Sequence, residues 1–211
     1  MIRKIRVLGV DPGSRLTGYG IVDWYDSKIA HVAHGTLKLA STTGKATIPL
    51  ENRLLDIHKG LSRVIETFRP EILSIERVFF AKNAVSALKL GQARGAAILT
   101  GMIHGLQVVE YSPTEVKSTI VGHGRADKDQ VARMLEILLG KQDFATSDAS
   151  DGLALALCHA RALGMNSALK KIPENTLTQA RTTKTMSLAE SLGITEDIVV
   201  GRKRISTLER K

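Results

Sequence analysis

Cysteine is nearly absent from the 211-residue chain, which has only Cys158. A lone thiol closes no internal disulfide, so the fold does not depend on an oxidising compartment. Cys158 lies in an apolar run and reads as a small core residue, not a nucleophile. Aromatic residues make up only 4% of the chain, so broad stacking surfaces are few. No apolar run approaches the roughly 20 residues of a membrane span. The stretch Val7–Val10 that follows the basic start is too short for the core of a secretory signal, and a cytoplasmic protein is expected. A G-x-x-x-x-G-K-[ST] phosphate loop is also missing. Acids are outnumbered, 21 against 30 Lys and Arg, which leaves a formal charge of +9. Such a surplus favours polyanionic partners, nucleic acid first.

What is present is a patterned α/β chain. Residues 5–11 read as a buried strand, with Pro12-Gly13-Ser14 as a turn. Residues 18–25 and 28–39 read as two further strands joined at Asp26-Ser27. The period then changes: Leu54, Ile57, Leu61, Val64, Ile65 and Phe68 mark one face of a helix over 50–68 that Pro70 ends. A short strand over 72–76, a helix over 86–104 rich in Ala and Gly, and a strand over 107–111 follow. Ser112-Pro113-Thr114-Glu115 has the form of a capping box opening a helix over 113–120. Helices over 128–139 and from Ser147 to about Leu163 complete the pattern. A meander followed by alternating helices and strands implies a mixed five-stranded sheet with helices on both faces.

Four acids stand out. Asp11 ends the first strand and Glu76 ends an apolar one. Asp148 and Asp151, three residues apart, share one face at the start of the last helix. Singly, each has an ordinary explanation: a turn former, a solvated strand end, or complements to the helix dipole. Jointly, they place carboxylates on the most apolar elements of a basic protein. Strand ends and helix starts meet at one edge of an α/β sheet. Clustered carboxylates repel unless a cation neutralises them. Oxygen ligands without clustered Cys or His fit magnesium or manganese. A pair of such ions is a known device for phosphodiester cleavage.

Five motifs stand in order: Gly9-Val10-Asp11-Pro12-Gly13 through Gly20, Ile75-Glu76-Arg77-Val78-Phe79 with Ala81-Lys82-Asn83, and Ser86 through Gly91-Gln92-Ala93-Arg94-Gly95, then Val116-Lys117 through Gly122-His123-Gly124 to Lys128-Asp129-Gln130-Val131, and Asp148-Ala149-Ser150-Asp151-Gly152. The resemblance they carry is to the RuvC family of Holliday junction resolvases. It covers about residues 3–163, in order. It implies a ribonuclease H-like fold and a symmetric homodimer that resolves four-way DNA junctions by paired cleavage in recombination and repair. By the same resemblance, Asp11, Glu76, Asp148 and Asp151 are catalytic acids holding Mg2+, two ions per site, with Mn2+ as a substitute. Lys117 and Lys128 would contact the DNA backbone or stabilise charge near the scissile phosphate. Phe79 would stack on a base, and RuvA and RuvB would be partners. Alternation leaves open which of Phe79 and Phe80 is exposed.

Two other classes use the same features: another ribonuclease H-like nuclease, acting on RNA–DNA hybrids, and a junction-binding protein without catalysis. The small residues Gly91, Ala93, Gly95, Ala96, Ala97 and Gly101 suit close approach of a second helix, or packing on the chain's own sheet. The nuclease domain is expected over 1–164. Residues 165–211 hold nine basic and five acidic residues, and read as a basic, partly disordered extension on which the resemblance is silent.

Overall fold

The computed structural model describes residues 3–13, 15–39, 48–77, 84–141, 144 and 146–170, with side chains of the last helix as far as residue 165. Met1–Ala168 forms one unit. The expected extension lies, from residue 171 on, outside the described residues. Among those described, no helix is long and apolar enough to cross a membrane.

Three antiparallel strands come first: β1 (Ile5–Pro12), β2 (Leu16–Tyr25) and β3 (Lys28–Lys38). Asp26 and Ser27 join β2 to β3, both at positive φ. This is the two-residue geometry whose twist matches that of paired strands. β1 runs through Pro12, one residue past its expected end at Asp11. Its last residue still pairs with Thr17, which a proline tolerates at a strand end. Helix α1 (Leu50–Phe68) leads to β4 (Ile72–Glu76), and α2 (Ala84–Ile103) leads to β5 (Gln107–Tyr111). β4 lies parallel between β1 and β5, so the sheet order is β3-β2-β1-β4-β5. Helices α3 (Pro113–Val121), α4 (Lys128–Leu139) and α5 (Ser147–Lys170) follow. α5 continues past the expected end near Leu163. Gly164 inside a helix costs only about 1 kcal/mol, and no proline occurs before Pro173.

The sheet separates two cores. Leu8, Val10, Ile21, Leu73 and Ile75 face α1 and α2. Val7, Val22 and Ile72 face α3, α4 and α5, whose central run Leu153–Cys158 is fully buried. Side chains alternate across β1 and β2 as a two-sided sheet requires. Cys158 is part of this core, and burial pushes its thiol up to about 11, so it is inert at neutral pH.

α5 lies directly on the backbone of β1 and β2, because glycines line the contact. A Cβ at Gly152 would stand 2.6 Å from the Cα of Tyr19. One at Gly18 would meet the carbonyl of Asp148. Any larger residue would lift the helix off the sheet.

Candidate active site

Asp11 reaches the site from the end of β1. Its parallel neighbour β4 brings Glu76 alongside, one residue beyond the last β1–β4 pair, Val10 and Ile75. α5 contributes Asp151 from above. These three carboxylates line one cavity of about 300 Å³, together with Lys117 from α3 and Lys128 from α4. Five of the expected site residues, remote in sequence, are thus brought together. Asp148 does not line the cavity, although its charge acts on both Asp11 and Lys128. Phe79 and Phe80 lie outside the described residues.

The lysines are set by capped helices. Ser112 Oγ accepts from the Glu115 amide at 3.2 Å while the Glu115 carboxylate accepts from the Ser112 amide at 2.7 Å. This is the expected capping box of α3. Asp127 and Gln130 make an equivalent box at α4, which places Lys128 at the first helical position. The D-x-x-Q spacing of Asp127 and Gln130 is the sequence signal for this cap. Thr146 caps α5 by accepting from the Ala149 amide at 3.3 Å. The Thr146 hydroxyl also meets Thr36 Oγ1 of β3 at 2.5 Å. Beside them the ring of His34 sits 4.9 Å from that of Phe144. The turn of α5 that bears Asp148 and Asp151 is thereby tied to the edge strand.

The electrostatics are those of crowded acids. Burial, then the charges of Glu76, Asp151 and Asp148, push the Asp11 carboxyl up to about 7 against the opposing pull of Lys128. Glu76 is raised for the same reasons, burial first and Asp151 next. Lys128 Nζ donates to Asp151 Oδ2 at 2.7 Å, and that bond raises the lysine. With side chains 71% and 29% exposed, the pair adds little stability. Two ammoniums, Lys117 and Lys128, do not balance four neighbouring carboxylates. The site lacks positive charge and offers hard oxygen donors, which is the chemistry of a divalent-cation site of the Mg2+ or Mn2+ type. The donor set fits such an ion, although no three His, Cys, Asp or Glu among the described residues form a ready-made cage.

One contact was not foreseen. Arg94 of α2 donates from Nε to the Glu76 carbonyl at 2.9 Å, and its Nη2 pairs with Glu110 at 2.5 Å. A guanidinium on a helix rich in Ala, Gly and Leu, whose only other charge is Lys89, was the available signal.

A sheet of this order, with acids converging at the ends of its two central parallel strands, defines a ribonuclease H-like protein with an acidic site. A model of the family described as crossover junction endodeoxyribonuclease RuvC matches residues 7–159. The crossover junction endodeoxyribonuclease RuvC of Geobacter sulfurreducens is 49% identical over 168 residues, covering 80% of this chain and 99% of the relative. That of Rhodopseudomonas palustris is 46% identical over 170 residues, covering 81% and 95%. Among solved structures, Thermus thermophilus RuvC in complex with Holliday junction substrate superposes with a TM-score of 0.68 at 33% identity, covering 77% of this chain and 96% of that one. The yeast mitochondrial Holliday junction resolvase shares the fold, with a TM-score of 0.53 at 16% identity over 74% of this chain and 79% of that one. The chain belongs to the RuvC family of crossover junction endodeoxyribonucleases.

Proposed function

We propose that the protein resolves Holliday junctions in DNA recombination and repair by paired, metal-dependent cleavage of opposed strands. The observation that carries this is the convergence of Asp11, Glu76 and Asp151 on one cavity with Lys117 and Lys128, in a chain of this family. Asp11, Glu76, Asp148 and Asp151 would hold two Mg2+ ions, for which Mn2+ would substitute. When bound, such ions supply an activated water and stabilise the leaving oxygen. Lys117 and Lys128 draw the scissile phosphate toward the carboxylates and offset its charge. As DNA enters, Lys128 exchanges its bond with Asp151 for a phosphate and frees that carboxylate for the metal. Phe79 stacks on an unpaired base at the opened centre of the junction.

Two copies pair through the outer face of α2 and set two sites on a two-fold axis, matching the two-fold symmetry of the substrate. Family resemblance adds RuvA and RuvB as partners and the cytoplasm as the place of action. Residues 1–164 carry the nuclease. Residues 165–211 strengthen DNA binding through backbone contacts without reading bases.

The test incubates the purified protein with a mobile four-way junction, plain duplex and an RNA–DNA hybrid, each with and without Mg2+. Paired nicks in the junction alone, only with Mg2+, are expected. Cleavage of the hybrid in preference would make the protein a different ribonuclease H-like nuclease. Binding without cleavage would remove catalysis.

A further inference from the structure

We propose that Arg94 is a positioning residue for Glu76, holding the acid in place from helix α2 through a guanidinium bridge anchored on Glu110. The inference rests on the acidic site described above. Pairing of β1 with β4 stops at Val10 and Ile75, so Glu76 stands beyond that ladder. On the β5 side the strand is held by the Arg77 amide, which donates to the Tyr111 carbonyl at 2.8 Å. Arg94 supplies the remaining hold. Its Nε bonds the Glu76 carbonyl at 2.9 Å while Nη2 of the same rigid plane meets Glu110 Oε1 at 2.5 Å. The other oxygen of Glu110 lies 3.7 Å from Arg77 Nε.

Both bonds of Arg94 are charge-assisted and its side chain is only 18% exposed, so they are stronger than surface pairs. A planar fork satisfies a carbonyl and a carboxylate at once, whereas an ammonium is a single point donor. Fixing the peptide after Glu76 fixes the direction in which its Cβ leaves the strand, and hence where the carboxylate points. Arg94 does not line the cavity, so it acts through Glu76 rather than on substrate. The bridge also makes the aim of Glu76 depend on where α2 sits. The neighbouring Ala93 and Ala97 seat that helix on the sheet.

The experiment compares Arg94→Met, Arg94→Lys, Glu110→Gln and Glu76→Gln. Mn2+ binding to the free protein is measured by titration calorimetry, alongside single-turnover junction cleavage across Mn2+ concentrations. A residue that orients a metal ligand typically accounts for about 10–100-fold in metal affinity, and a loss of about tenfold is expected for both Arg94 variants. Glu110→Gln should lose less, since the guanidinium remains. Junction binding should stay within about twofold, because no phosphate contact is removed, and excess Mn2+ should restore part of the rate. Wild-type Mn2+ affinity in Arg94→Met and Glu110→Gln would overturn the inference. If Arg94→Met does not fold, Glu110→Gln decides by the same reading. If Glu76→Gln binds Mn2+ and cuts like wild type, the reading of the acidic site itself is wrong. If Glu76→Gln is inactive while the Arg94 and Glu110 variants are unaffected, only the role of Arg94 fails.

Discussion

Asp11 shows how an acid proposed for catalysis strains its fold. Its carboxyl is pushed up to about 7 by burial and by like charges, so the metal-free protein is strained by holding it ionised. The folded state binds this proton more tightly than the unfolded chain, whose Asp titrates near 3.9. Its contribution to stability therefore falls as pH rises from about 4 to about 7. Asp11→Asn should abolish cleavage yet raise the stability of the metal-free protein at neutral pH by on the order of 1–2 kcal/mol after solvent screening. Junction binding should persist, since removing a negative charge near phosphates does not weaken it. Cleavage, binding and melting on one preparation check all three.

Asp23 behaves oppositely. Burial pushes it up, but bonds from Arg6 at 2.7 Å and Lys4 at 2.6 Å outweigh burial and hold it below the usual range. A depressed acid stabilises the fold above its unfolded pKa, and that support is lost as pH falls through the folded value. Asp23→Asn should cost about 2 kcal/mol at neutral pH. The gap to wild type should narrow below about pH 4, which denaturation at a series of pH values would reveal.

At the scale of elements, the first turn of α5 is held by Thr146 as cap and by its hydroxyl contact with Thr36 of β3. Thr146→Val keeps the shape and removes both bonds. It should lower stability by about 1 kcal/mol, as lost caps do, and slow cleavage while leaving Cys158 and its core neighbours packed. Comparing single-turnover rates with thermal melts separates the two effects.

Elements were readable where the pattern was local. α1 showed its apolar stripe, α3 its capping box, and Asp26-Ser27 its hairpin. The end of α5 was set short because Gly164 does not stop a helix and no proline follows before Pro173, and that of β1 because Pro12 still pairs with Thr17. Asp11, Glu76 and Asp151 were legible because acids on apolar elements conflict with their surroundings. Asp148 was grouped with them by its helical spacing from Asp151 and by the motif the two share; it does not line the cavity. Arg94 was not legible, since its partners Glu76 and Glu110 become neighbours only when β4 and β5 pair. The small-residue stripe of α2 divides: Ala93, Ala97 and Gly101 turn toward the chain's own sheet, while Gly91 and Gly95 face open space. Both packing options weighed from the sequence drew on it.

For the whole molecule, the outward face of α2 carries Leu88, Leu99, Met102 and Ile103, each more than half exposed. In the proposed dimer this cluster is what the second copy covers. Leu99→Glu should convert a sedimenting dimer into a monomer with little change in melting temperature, and paired nicking should become single nicking. Truncation after Lys170 preserves α5 whole. It should leave the single-turnover rate at saturating protein unchanged while weakening junction and duplex binding together, with a shallower salt dependence.

The glycine-lined seat of α5 on β1 and β2 also sets an order of events during synthesis. Asp11 and Glu76 leave the ribosome early, and the strands that carry them pair locally. Among the described elements α5 is made last, and its docking closes the longest loop of the described fold, a slow step by topology. Gly18 and Gly152 meet only then. A nascent or prematurely ended chain therefore displays a basic surface and part of an acidic site but cannot assemble the full set. Under the proposed function, cutting power arrives with α5, so products that end before it are spared from becoming stray nucleases.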